Sequence, residues 1–250
     1  MPDAVLDDLA ARSWPALTTA EVDGWRVRLA GGVTQRANSV LPVAAPADVP
    51  AAIAEVERLY AAHGQQAVFQ IGDAALPTDL DAVLAARGYE RRSPTEVRTA
   101  AVQHVLARTV PDAAPGDMVV AEDPDDAWAA LWWGVDSRGG PDQLATGLRI
   151  LRGAPALYGS YRESGEPAAV ARLAILDGWG VLACVVAHPE HRRRGLATAV
   201  TRALLSAAAE QGVTTAMLQV VRSNDAARAL YDRQGWAVVG GYHYRARPLP

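Results

Sequence analysis

An apolar run, Val181-Leu182-Ala183-Cys184-Val185-Val186-Ala187, leads into Arg192-Arg193-Arg194-Gly195-Leu196-Ala197, where a helical pattern begins. A strand, a basic glycine-containing turn and a helix start, in that order, leave few architectures open. Together they build an anion site from backbone, because the first helical turn has unpaired N–H groups and the helix dipole favours negative charge there. Gly195 removes a side chain where a phosphate must approach closely, and Ala197 keeps the next turn small. Downstream, Asn224 and Tyr231 are two helical turns apart, hence on one helix face.

The chain has 250 residues, half of them hydrophobic, enough for one domain or two. A net charge of −4 offers no basic field for nucleic acid or an anionic membrane. All 24 basic residues are arginine, and a local arginine cluster suits one phosphorylated ligand. No apolar run reaches the ~18 residues that a membrane span needs. The acidic start, Met1 to Asp8, lacks a signal-peptide pattern. The single cysteine, Cys184, excludes an intrachain disulfide, and a reducing cytoplasm is the expected location.

The Pro/Gly/Asp-rich stretch from Thr109 to Asp117 reads as a linker between residues 1–112 and 117–250. In the second half, strands are predicted at Met118–Ala121, Ala156–Arg162, Ala168–Leu176, Val181–Ala187, Thr215–Val221 and Trp236–Tyr244. Helices are predicted over 123–133, 141–151, 195–211 and 224–233. In the first half, Trp25–Leu29, Ser39–Val43 and Val68–Ile71 read as strands, and Pro50–His63 and Leu80–Arg87 as helices. The ending Leu84-Ala85-Ala86-Arg87-Gly88-Tyr89 echoes Leu230-Tyr231-Asp232-Arg233-Gln234-Gly235-Trp236, which suggests a degenerate second copy. Arg28-Leu29-Ala30-Gly31-Gly32-Val33 has no helix pattern after it and is rejected as a phosphate loop.

Arg192 to Ala197 fits the Arg-x-x-Gly-x-Gly/Ala signature, and with the element order the second half resembles the GNAT superfamily of N-acetyltransferases. The stretches Gly24-Trp25-Arg26-Val27-Arg28, Arg36-Ala37-Asn38-Ser39-Val40-Leu41-Pro42 and Tyr242-His243-Tyr244-Arg245 resemble a tandem, actinobacterial-type GNAT subfamily. The resemblance implies an α/β fold with a mixed, mostly antiparallel sheet: tandem GNAT folds, the N-terminal copy degenerate and the C-terminal copy functional. It implies acetyl-CoA as co-substrate. The pantetheine arm would pair with the backbone of Val185, Val186 and Ala187, a form of strand addition. The pyrophosphate would sit on Arg192, Arg193, Arg194, Gly195, Leu196, Ala197 and Thr198. Asn224 would cap its helix and bond the pantetheine, and Tyr231 would give a proton to the departing thiolate. Many GNAT enzymes place a glutamate base where Gln219 stands, and Gln219 cannot act as one. Glu122, Asp136, His188 or a water chain stay open as replacements.

Each feature also has a plainer reading: a basic surface turn at 192–197, a simple N-cap at Asn224, a core aromatic at Tyr231. His188 and His191 flank Pro189-Glu190 without a third ligand, so turn residues rather than metal ligands are expected, and no metal. Cys184 reads as a small hydrophobe. Trp128, Trp132 and Trp133 read as core or as a wall of the acceptor pocket. The resemblance as a whole implies acetyl transfer to an amine, more readily a small molecule than a protein lysine, with the first half shaping the acceptor site. Neither nucleic acid nor a membrane is an expected partner, and a monomer or homodimer is the expected state. A catalytically silent acyl-CoA sensor and a transferase for longer acyl groups are the alternatives.

Overall fold

The computed structural model describes residues 3–109, 116–136 and 139–247. The first half contains α1 (Asp3–Ser13), β1 (Thr18–Val22), β2 (Trp25–Leu29), β3 (Val40–Leu41) and α2 (Val49–Ala62). It continues with β4 (Val68–Gly72), α3 (Leu80–Ala86), β5 (Glu90–Ala101) and α4 (Val102–Arg108). The second half runs β6 (Asp117–Ala121), α5 (Asp126–Asp136), α6 (Pro141–Leu151), β7 (Ala156–Glu163), β8 (Glu166–Leu176) and β9 (Trp179–Ala187). It closes with α7 (Leu196–Glu210), β10 (Thr215–Val221), α8 (Asp225–Gln234) and β11 (Ala237–Ala246). This is the element order expected for the second half. The largest shift is at α5, which runs from Asp126 to Asp136 rather than over 123–133; it starts late because Pro124 precedes it and the Asp125 carboxylate accepts the Trp128 N–H at 2.8 Å.

Among the described residues, one mixed sheet carries eleven strands in the order β1-β2-β3-β4-β11-β5-β10-β9-β8-β7-β6. Most neighbours are antiparallel; β3 with β4 and β9 with β10 are parallel. The expected linker falls largely on residues 110–115, outside the described residues. The sheet crosses the division expected at 112/117, for the closing strands are exchanged. β5 of the first half lies between β11 and β10, and β11 of the second lies between β4 and β5.

Helices cover both faces. Along β8 the side chains alternate: Ala169, Ala171 and Leu173 pack with α7, whereas Val170 packs with α5 and α6. On that second face Arg172 is fully buried and donates to the carbonyls of Ser13 (3.0 Å) and Leu151 (2.7 Å), tying the end of α1 to the end of α6.

Four first-half elements, α1, β1, β5 and α4, have no counterpart in the sequence reading. The strand β5, Glu-Arg-Arg-Ser-Pro-Thr-Glu-Val-Arg-Thr-Ala-Ala, reads as too polar and too Pro-interrupted for a central strand. The structure resolves both objections. Buried Arg98 donates to Glu96 (2.7 Å) and to Asp232 on α8 (2.6 Å), so the charges are paired. Ser93 and Pro94 sit in a bulge opposite His243, where a missing N–H does no harm.

Candidate active site

The parallel pair β9/β10 holds register only from Trp179–Leu182 against Thr215–Leu218, and then the strands part. A bulge lies where they separate. Cys184 and Val185 together face Ala171 of β8, with Cys184 at φ 54°. Beyond it, Val186 and Ala187 stay paired with Val170 and Ala169 on one edge. No strand pairs their other edge among the described residues, so its backbone groups face the cleft between β9 and β10.

A short 3₁₀ turn, Pro189–His191, follows β9 and leads to the basic loop. Arg193 (φ 63°) and Gly195 (φ 75°) are both left-handed, and Gly195 caps α7 with no side-chain hydrogen bond. A Cβ on Gly195 would meet nothing within 4 Å, so the space over the helix start is open. The first intrahelical bond runs from the Ala199 N–H to the Gly195 carbonyl at 3.0 Å. The N–H groups of Leu196, Ala197 and Thr198 therefore have no partner within the helix. Arg192 and Arg193 are exposed. Arg194 is committed: it donates to both oxygens of Glu163 on β7, at 2.6 and 3.0 Å. That pairing holds the Glu163 carboxylate below its usual range. Leu196 is buried, and Thr198 accepts from Gln234 of α8 at 3.2 Å.

Across the cleft, the Asn224 side-chain amide oxygen accepts the Ala227 N–H at 3.1 Å and caps α8. Two turns on, Tyr231 is buried, its ring edge-on to Trp236 with centroids 6.1 Å apart. Burial pushes its phenol up to about 12, against the opposing pull of Arg36 and Arg98. Tyr231 therefore keeps its proton at all ordinary pH values.

A pocket of about 270 Å³ opens beside Cys184 and Val221, where β9 and β10 have parted. The first half supplies much of its lining, including Trp14, Gln35, Arg36 and Thr95, and β11 adds Tyr242 and Tyr244. Gln219 meets this cluster, for Tyr242 donates its hydroxyl proton to the Gln219 carbonyl oxygen at 3.3 Å. Trp132 is both core and wall: it lies edge-on to Trp14 and lines the pocket. Trp128 and Trp133 are core, donating to the Gly159 and Gly139 carbonyls. Glu122 is exposed and follows β6 at the far edge of the sheet. His188 closes β9 beside the turn, where its ring accepts the Glu190 N–H at 3.4 Å. The Asp136 side chain lies outside the described residues. No cluster of metal-ligating side chains occurs among the described residues, and no described helix is long and apolar enough to cross a membrane.

The sequence motifs that contain Arg36, Tyr242 and Tyr244 give these residues no place in the site, and no sequence signal singles out Trp14. Their signal was the odd chemistry of those motifs, which put arginine, asparagine and tyrosines in short segments predicted to pack.

Comparison with known proteins places the family and the fold. Residues 5–247 match the family described as "Probable histone acetyltransferase Rv0428c C-terminal". The Bacillus subtilis protein named "Uncharacterized N-acetyltransferase YobR" is 29% identical over 97% of each chain. The Mycobacterium tuberculosis protein named "Probable histone acetyltransferase Rv0428c" is 30% identical over 98% of this chain and 72% of its own. A GCN5-related N-acetyltransferase from Kribbella flavida superposes with a TM-score of 0.70 at 20% identity, over 98% of this chain and 96% of that one. A tandem GNAT protein from the clavulanic acid biosynthesis pathway gives 0.65 at 17% identity, over 98% and 89%.

Proposed function

This chain belongs to the family whose model spans its residues 5–247, GNAT-type acyl-CoA-dependent N-acetyltransferases, and from that premise we propose that its second half transfers acetyl from acetyl-CoA to a small-molecule amine. The observation that carries this reading is the uncapped start of α7 at Gly195, open above and flanked by exposed Arg192 and Arg193.

The residues fit the co-substrate. The N–H groups of Leu196, Ala197 and Thr198, with Arg192 and Arg193, hold the pyrophosphate, while Arg194 braces the loop through Glu163. The unpaired edge of Val185, Val186 and Ala187 accepts the pantetheine arm as an added strand. Asn224, its oxygen spent on the cap, has its amide N–H groups left to offer. Bound there, acetyl-CoA supplies the acetyl group: an N–C bond forms, the C–S bond breaks, one proton leaves the amine and one reaches sulfur. Tyr231 holds that last proton at its phenolic oxygen. Gln219 orients the Tyr242 hydroxyl rather than acting as a base.

The first half acts as a second GNAT copy that has given up its own cofactor loop and walls the acceptor pocket. Two parallels support the tandem reading: each half contains a parallel strand pair, and each lends its closing strand to the other. The test is release of CoA thiol from acetyl-CoA in the presence of an amine panel. Amine-dependent release is expected. Acetyl-CoA binding with no release for any amine would instead assign a sensor.

A further inference from the structure

The pocket of about 270 Å³ between the halves has a charge pattern that the proposed acetyl transfer leaves unexplained. Arg36 stands on a 3₁₀ turn, Gln35–Ala37, whose position is set by buried Asn38. The Asn38 side chain accepts the N–H groups of Ala30 (2.7 Å) and Gly32 (2.9 Å) and donates to the carbonyls of Val33 (2.7 Å) and Thr34 (2.8 Å). With all four of its hydrogen bonds made, Asn38 fixes the loop. The Arg36 guanidinium lies 5.3 Å from the centroid of the Trp14 ring, and Trp14 is pinned in turn by its N–H bond to Thr34 (2.9 Å). No Asp or Glu lines this pocket, and among the described residues Arg36 makes no ion pair. Its polar neighbour is the Tyr242 hydroxyl, which is no counter-ion. Tyr244 is 3% exposed and lines the same pocket, and its hydroxyl, with Tyr242 beside it, has no partner at hydrogen-bond distance. An oriented, half-buried cation beside an orphaned phenol is costly to build unless something completes it.

We propose that the acceptor carries a carboxylate as well as its amine, and that Arg36 and the Tyr244 hydroxyl hold that carboxylate. A single guanidinium presents two parallel donors, the match for a planar carboxylate. The aromatic faces of Trp14, Trp132 and Tyr242 would cover the carbon skeleton. The same cation opposes a lysine-rich peptide entering by this route and favours the neutral form of an amine lying close to it. Arg36 is thus a specificity-determining residue.

This inference rests on acetyl transfer by the second half, and the test separates the two. Acetyl-CoA affinity is measured first, by calorimetry; its absence would remove the underlying reading. Acetylation and calorimetric binding are then compared for matched sets: amino acids of increasing chain length, their methyl esters, the corresponding decarboxylated amines, and a lysine-containing histone-tail peptide. At least one amino acid is expected to exceed its ester by about tenfold or more in kcat/KM, as loss of a charge-assisted hydrogen-bond pair implies. Arg36→Gln is expected to abolish that ratio through KM, leaving acetyl-CoA affinity and the ester's kcat/KM within about twofold. Tyr244→Phe, a nearly isosteric change, should raise the amino-acid KM several-fold. Esters, decarboxylated amines or the peptide serving as well as the acids would overturn the proposal. So would a ratio unchanged in Arg36→Gln, a loss of acetyl-CoA affinity in that variant, or no binding of any carboxylate-bearing amine to a protein that binds acetyl-CoA.

Discussion

The starts of α2 and α7 occupy corresponding places, each between the two strands of a parallel pair, β3/β4 and β9/β10. They differ in who occupies the helix N-terminus. At α2, Asp48 caps the helix, its carboxylate accepting the Ala51 N–H at 3.0 Å, and Pro50 contributes no N–H at all. At α7 the cap is Gly195, which has no side chain to offer. A helix N-terminus attracts anions by default, and one carboxylate of the chain's own fills the vacancy and repels the next. This contrast supports the proposal that Asp48 and Pro50 close the first half to a pyrophosphate and that Gly195 leaves the second open.

The largest expected effect comes from closing the open site. Gly195→Glu should lower acetyl-CoA affinity by about a hundredfold or more, since it puts a side chain and a negative charge where the phosphates go. Its left-handed φ should cost about 1 kcal/mol in stability, leaving the protein folded. Calorimetry with a thermal melt checks both. Undiminished affinity would dissolve the contrast with α2.

Next in size is Tyr231→Phe, with kcat down about a hundredfold and acetyl-CoA affinity within about twofold, as loss of a general acid implies. The pH profile sharpens the assignment. Burial raises the Tyr231 phenol from 10 to about 12, so the proton-bearing form persists as the acceptor amine is deprotonated. The rate should rise with pH and level off, with no downturn near pH 10. A fall centred there would mean an ordinary, solvated phenol or a different acid.

The smallest effect belongs to the first half. Asp48→Ala should cost about 1 kcal/mol of stability through the lost cap and leave acetyl-CoA affinity unchanged, because Pro50 still interrupts the donors. An altered affinity or a second binding event would show that this helix start takes part after all.

The second half was legible because its signals are local. Short apolar runs bounded by turn residues mark β7 to β10, helical spacing marks α7 and α8, and Arg192 to Ala197 announces the loop. The exchange of β5 and β11 was not legible, because pairing partners far apart in the chain leave no mark on composition. The strand β5 reads as surface until Glu96, Arg98 and Asp232 are seen to neutralise one another. The pocket proposed for the acceptor was hidden for the same reason. Trp14, Arg36 and Tyr244 come from three distant segments, and only the shared sheet brings them together. Arg194 teaches the converse: sequence offers three arginines alike to the phosphates, and the fold pairs one of them with Glu163.

The contrast between the two helix starts is tested most directly by calorimetric titration of the intact chain with acetyl-CoA. Binding at one site per chain, lost in Gly195→Glu and retained in Asp48→Ala, is the expected result. Two sites per chain, or one site indifferent to Gly195, would contradict it.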